Sequence, residues 1–364
     1  MTDVVAFLKE LIAAGGPIPI SQFVEIALTA RADSYYMRQD PFGAAGDFVT
    51  APEISQVFGE CVGLWCVDVW QQLGRPYAFD LVELGPGRGT LMNDVLRVGG
   101  VAKGFSGAAH LAMVEVSPVL RSIQAATLGP SIVSHTHWYD RFQDIEIRRP
   151  LIVIANEFFD ALPAKQFVKT RAGWSERMVG FDECGTLSFH DEIQIDSSSI
   201  VPASLCVAPE GSIFEQSLMS LEVGQAVGSA IRTQGGGALF IDYGYCGPRL
   251  GDTFQAIKKH AYANVLLDVG SADLTFHVDF AALASALQHG GAVVSPVVAQ
   301  KDFLKSLGAV ARTQVLVGSA NAMQKQQLES ALIRLTAPSA MGDLFKAVCA
   351  VWPSNIQPAG FSSQ

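Results

Sequence analysis

The chain has 364 residues, of which 49% are hydrophobic and 16% charged, and its formal net charge is −10. This composition excludes a disordered chain and argues against nucleic-acid binding through a basic face, and no apolar run reaches the length of a bilayer span. The six cysteines form no C-x-x-C pair, so neither a zinc site nor a dithiol motif is expected, and no metal is assigned.

The N-terminal stretch MTDVVAFLKELIAAGG predicts a short amphipathic helix stopped at Gly15 and Gly16. It lacks the basic start and cleavage site of a secretory leader and the arginines of a transit peptide, so the expected location is the cytoplasm. Residues 1 to about 75 read as mainly helical. A glycine-rich loop, PFGAAGDFVT (41–50), precedes TAPE (50–53), which has the form of a capping box with Thr50 as cap and Glu53 reaching back. The helix expected from there carries Phe58, Val62, Trp65, Val69 and Leu73 on one face and ends at Gly74.

From Phe79 the pattern changes to alternating strand and helix. FDLVEL (79–84), HLAMVEV (110–116), SIVSH (131–135), LIVIA (151–155) and ALFIDY (238–243) read as buried parallel strands, with TLMNDVLR (90–97) and SPVLRSIQAAT (117–127) as helices between them. The predicted class is α/β, a doubly wound sheet. After Pro163, QFVKTRAGWSERMVGF (166–181) alternates about a glycine turn as a hairpin does, and LSFHDEI adds a further strand. The predicted organisation is an N-terminal helical region over 1–78 and a doubly wound domain over 79–364, with an insertion at about 165–235. FKAVCAV (345–351) is the candidate last strand.

The first strand runs into ELGPGRGTL, where Glu83 precedes Gly85, Gly87 and Gly89. A dinucleotide fingerprint would need its third glycine at position 90, which is Thr90. The spacing E-x-G-x-G-x-G is instead the usual loop of methyltransferases that bind S-adenosylmethionine. A second acid closing the next strand, Glu115, suits the two ribose hydroxyls, because a carboxylate offers several lone pairs.

Seven blocks in order resemble one family: PFGAAGDFVTAPEISQVFGE (41–60), ELGPGRGTLMNDVLR (83–97), EVSPVLRSIQ (115–124), ANEFFDALPAKQF (155–167), ALFIDYG (238–244), GDTFQAIKKH (251–260) and DLTFHVDF (273–280). It is the MidA-like family of S-adenosylmethionine-dependent methyltransferases, which includes a mitochondrial complex I assembly arginine methyltransferase. The chain departs from the family pattern at Ser34, at Val269-Gly270 and at Ala299-Gln300-Lys301.

The resemblance implies a Rossmann-like class I methyltransferase fold with a helical lid. It also implies symmetric dimethylation of an arginine on the quinone-proximal subunit of NADH dehydrogenase. The alternatives are a small-molecule methyltransferase and an assembly factor without turnover. The implied partner is a protein substrate, without nucleic acid or membrane insertion, and a homodimer is left open.

A guanidinium acceptor is always protonated in water, so carboxylates must clamp it and take up its proton. Glu157 is the first candidate and Asp160 the second, both just past a strand's carboxyl end, with Asn156 beside them to hold substrate or the cofactor's methionine part. Gly46, Asp47 and Phe48 are expected to close over the cofactor, with Asp47 facing its ammonium.

Overall fold

The computed structural model describes residues 3–43, 46–196 and 200–361. Ala44 and Ala45 of the expected lid loop lie outside them.

The central sheet follows from the apolar runs. Its strands lie in the order Val293–Val294, Phe345–Trp352, Gly236–Tyr245, Leu151–Asn156, Phe79–Leu84, Ala109–Val114, Thr136–Tyr139. The five strands from Phe79 to Tyr245 pair in parallel, and Phe345–Trp352 runs antiparallel against Gly236–Tyr245. Every residue of Phe79–Leu84 and of Leu151–Asn156 is buried, because helices cover both faces. Alternate residues feed two cores. Phe79 and Leu81 join the core under the helix Gln56–Gln72, and Val82 and Leu84 the core under the helix Leu218–Gln234.

Two sequence expectations need correction. SIVSH is not a strand. Pro130 starts a one-turn helix, Pro130–Val133, and the strand that follows is Thr136–Tyr139, whose mixed burial suits its edge position. Nor does TAPE open one long helix. Thr50 makes no side-chain cap, the helix from Ala51 stops at Ile54, and Ser55 caps a second helix, Gln56–Gln72, by accepting from Val57 N at 3.2 Å. Glu53 turns away from its own helix. It accepts from Thr90 Oγ1 and lies 3.7 Å from Arg88, fastening this segment to the glycine loop.

The inserted segment forms its own antiparallel sheet from Lys165–Thr170, Gly173–Phe181, Leu187–Gln194 and Ile213–Gln216. Ile18–Pro19 adds a fifth strand to it, against Gly173–Phe181. A third, small sheet (Gln255–Lys258, Ala261–Ala263, Asp273–Thr275) packs beside the N-terminal helices, where Leu8, Phe23, Ala256 and Leu274 share one core. Together these pieces roof the carboxyl ends of the central strands, the place where open α/β sheets bind ligands. No helix among the described residues is long and apolar enough to cross a membrane.

Candidate active site

Under this roof lies a cavity of about 890 Å³. That volume lies toward the upper end of the range for small-molecule sites. Gly85, Gly87, Glu115, Glu157, Asp160, Asp47 and Phe48 all line it. Glu83 and Asn156 instead line an adjoining pocket of about 30 Å³, which also touches Gly85, Gly87 and Glu157.

The glycine loop is shaped by left-handed backbone. Gly85 has φ 62°, and a Cβ there would lie 2.8 Å from the Phe158 ring, so no other residue fits without displacing that ring. Gly87 has φ 53° and turns its bare face to both cavities, with the Phe42 ring 3.4 Å from where a Cβ would stand. Gly89 is the N-cap of the helix Thr90–Gly99. The loop therefore presents backbone at the start of a helix, as a ligand-cradling turn requires.

Two acids frame the loop. Glu83 is only 2% exposed, and its Oε2 has no partner. Burial pushes its carboxyl well above the usual range. An orphaned buried carboxylate oxygen is costly alone and suits a cationic or donor group of a ligand. Glu115 accepts from Ser117 N at 2.8 Å with Oε1 and from Gln124 Nε2 at 3.2 Å with Oε2. Each oxygen keeps a lone pair for a ligand hydroxyl. Gln124 also donates to Gly87 O at 2.9 Å and accepts from Trp138 Nε1 at 2.8 Å. It thus locks the acid to the glycine loop, a linkage that neither motif reveals alone. These residues fit S-adenosylmethionine, whose ammonium needs an acid and whose ribose needs two acceptors.

The segment after Leu151–Asn156 is built to hold acids at the cavity wall. Glu157 has φ 52°, a left-handed conformation rare for a side-chain-bearing residue and concentrated at functional sites. The strain is held by Asp242, which is 0% exposed. Its Oδ2 accepts from the N–H groups of Phe158, Phe159 and Asp160 at 3.1, 3.0 and 3.2 Å, and its Oδ1 accepts from Tyr243 N at 2.8 Å. Burial, with Asp160 and Glu157 close by, pushes the Asp242 carboxyl well above its ordinary range despite those donors.

Glu157 Oε1 accepts from Ala51 N at 2.9 Å and from Asn156 Nδ2 at 3.1 Å, so it also anchors the roof segment. Asp160 Oδ2 accepts from Tyr243 Oη at 2.5 Å, while its Oδ1 is buried without a partner, as is Asn156 Oδ1. Across the cavity Asp273 accepts from Tyr36 Oη at 2.8 Å. The sequence places Asp242-Tyr243-Gly244 at the end of a strand facing this crevice but gives Asp242 no role, and Tyr36 and Asp273 were not singled out. Their signal there was position alone, at the ends of the ALFIDY and DLT strands and in the Tyr35-Tyr36 pair.

The lid residues separate. Phe48 lines the cavity and packs edge-on against Phe42, with ring centroids 5.0 Å apart. Asp47 already has both oxygens engaged, Oδ2 with Tyr35 Oη at 2.6 Å and Oδ1 with Lys259 N at 2.7 Å. It ties the roof together, in a way that the expected ammonium contact did not anticipate. Gly46 does not line the cavity, because its Cα faces the Pro41 carbonyl, 2.1 Å from where a Cβ would stand.

Burial pushes the carboxyls of Glu115 and Glu157 up to about 7, Asp160 to about 6 and Asp273 to about 8, and repulsion from Asp160 adds to the shifts of Glu157 and Asp273. Each holds its proton more tightly folded than unfolded, where the value is about 4. Their contribution to stability is therefore full below about pH 4 and is lost as pH rises through about 6 to 8. The melting temperature of the free protein is expected to fall between about pH 5 and about pH 8.5. A Glu157→Gln variant should show a flatter fall in a thermal-shift series, and an equal slope would count against this assignment.

The chain's relatives belong to the same chemical class. A family model described as "Putative S-adenosyl-L-methionine-dependent methyltransferase" matches residues 61–297. The chain is 36% identical to the "Protein arginine methyltransferase NDUFAF7, mitochondrial" of Danio rerio, over 94% of this chain and 86% of that protein. Against the Homo sapiens protein of the same name the identity is 34%, covering 95% and 82%. A crystal structure of a Burkholderia thailandensis protein bound to S-adenosyl-homocysteine superposes with a TM-score of 0.84 at 26% identity, over 99% of this chain and 93% of that one. The curated relatives are named as mitochondrial, which overturns the cytoplasmic location expected from the sequence. Matched along nearly its whole length and carrying the glycine loop with both flanking acids, the chain belongs to the S-adenosyl-L-methionine-dependent methyltransferase family, with S-adenosylmethionine as its cofactor.

Proposed function

We propose that this protein methylates an arginine side chain of a protein substrate, with Glu157 and Asp160 receiving the guanidinium. The observation that carries the reading is a set of three carboxylates lining one cavity, the buried Asp160 and Asp273 and the half-buried Glu157. Asp160 keeps an unpartnered oxygen, and no ion pair among the described residues neutralises any of the three. Such a wall is costly when ionised and empty, and a delocalised cation with five N–H donors relieves it. The names of the curated relatives support arginine as the acceptor.

S-adenosylmethionine, when bound, supplies an electrophilic sulfonium methyl group. The chain's residues do the rest by positioning. Glu83, the glycine loop and Glu115 hold the cofactor. Glu157, which borders the glycine loop, and Asp160 hold the guanidinium beside it and orient one nitrogen. Tyr243 Oη steadies the Asp160 Oδ2 atom, which leaves Oδ1 to the substrate. The new N–C bond would form as the S–C bond of the bound cofactor broke, leaving a neutral thioether; the methylated nitrogen is then acidic, and a carboxylate with a raised pKa takes its proton near neutral pH. Asp242 keeps the loop carrying both acids in register.

The resemblance described above points to the quinone-proximal subunit of NADH dehydrogenase as substrate, with symmetric dimethylarginine as product. The test incubates that subunit with the protein and methyl-labelled S-adenosylmethionine, then analyses the hydrolysate. Label in symmetric dimethylarginine is expected. Label on lysine, or saturable cofactor binding with no labelled residue, would overturn the proposal.

A further inference from the structure

We infer that the mouth of the acidic cavity docks a protein segment whose target arginine is flanked by apolar residues. The inference rests on the arginine reading above and deepens it. Three elements distant in sequence each bring one exposed apolar side chain to the cavity lining. They are Met219 at the start of the helix Leu218–Gln234, Tyr262 on the strand Ala261–Ala263, and Leu344 just before the last sheet strand, exposed by 39%, 81% and 43%. Scattered exposed apolar residues are ordinary, but several around one opening mark a contact surface.

The Tyr262 position is built. Its hairpin turns through Lys259 and His260, both left-handed at φ 50° and 61°, a strained choice for side-chain-bearing residues. Asp47 holds that turn, accepting from Lys259 N at 2.7 Å with its side chain and from His260 N at 2.9 Å with its carbonyl. The cross-strand partner of Tyr262 is Ile257, which lines the same cavity.

An apolar rim above an acidic floor matches one kind of occupant. A long side chain with an apolar stem and a cationic head can pass the rim and reach Glu157, Asp160 and Asp273. Free arginine would leave the rim uncovered. A segment with acidic flanks would meet Glu25, Asp140 and Glu222, which outnumber Arg141 and Arg334 among the charged residues lining the cavity beyond its acidic floor, and the chain's net charge of −10. A segment with apolar flanks covers the rim and adds no like charge.

The test uses the intact protein at saturating S-adenosylmethionine with peptides holding one arginine between leucines, serines or glutamates. For the wild type, kcat/KM should be about tenfold higher with leucine than with serine flanks, and lowest with glutamate. The double variant Met219→Ser, Tyr262→Ser should raise KM for the leucine-flanked peptide about tenfold. Its kcat and its calorimetric affinity for S-adenosylmethionine should stay near wild type, and Leu344→Ser should act in the same direction. Equal kcat/KM for all three peptides, or an unchanged KM in the double variant, would overturn the docking surface while leaving the arginine reading intact. Cofactor binding with no peptide methylated would overturn both.

Discussion

Replacing Glu157 with Gln should slow methyl transfer to arginine by about 10²–10⁴-fold, the range expected when a group that takes up the proton is lost. Glutamine keeps the shape of the side chain and an oxygen that can accept from Ala51 N, so the roof segment stays anchored. What it removes is the negative charge and the proton-accepting capacity. Glu157 is held in a left-handed conformation by the hydrogen bonds that Asp242 makes to the next three residues, which fixes the substitution in the same place as the original acid. Single-turnover measurements at saturating cofactor separate this loss from effects on binding. Asp160→Asn should behave similarly, with the Tyr243 hydroxyl still satisfied. A Glu157→Gln variant within a few-fold of wild type would remove Glu157 from the chemistry.

Gly87→Val should abolish measurable binding of S-adenosylmethionine, an affinity loss of about 100-fold or more. Two costs combine. Position 87 sits at φ 53°, where a β-branched residue pays steric strain of about 1–2 kcal/mol. Beyond its Cβ, the valine methyls must enter either the Phe42 ring, 3.4 Å from the Cβ position, or the cavity itself. The first choice lifts Phe42 from the loop, and the second occupies ligand space. Calorimetry measures the affinity, and a thermal melt shows whether the variant remains folded. Near wild-type affinity would mean that the cofactor does not lie along this loop.

The residues proposed to hold the cofactor could be named ahead of the structure because their grammar is local. Glu83 and the three glycines lie within seven consecutive residues, and Glu115 ends the next apolar run. The sheet was legible for the same reason, since doubly buried strands such as Leu151–Asn156 are unbroken apolar runs. Thr136–Tyr139 was missed because an edge strand carries polar and aromatic residues, while the apolar Ser131–Val133 run belongs to a one-turn helix. The break at Ser55 was hidden by a capping pattern whose glutamate bonds Thr90 instead.

The acceptor end was only half legible. Glu157 and Asp160 could be named from their place after a strand, but their supports come from far along the chain. Asp242 reaches back more than eighty residues to the loop, and Asp273 meets Tyr36 from 237 residues along the chain. Nothing in local spacing encodes such pairs.

The proposed chemistry divides labour along one cavity, with Glu115 serving the cofactor and Glu157 the acceptor. Calorimetric titration with S-adenosylmethionine of the wild type, Glu115→Gln and Glu157→Gln tests it most directly. An affinity loss of about tenfold or more is expected for Glu115→Gln, from two weakened hydroxyl bonds, and a change within a few-fold for Glu157→Gln. The reverse order, with Glu157→Gln weakening the cofactor and Glu115→Gln silent, would contradict it.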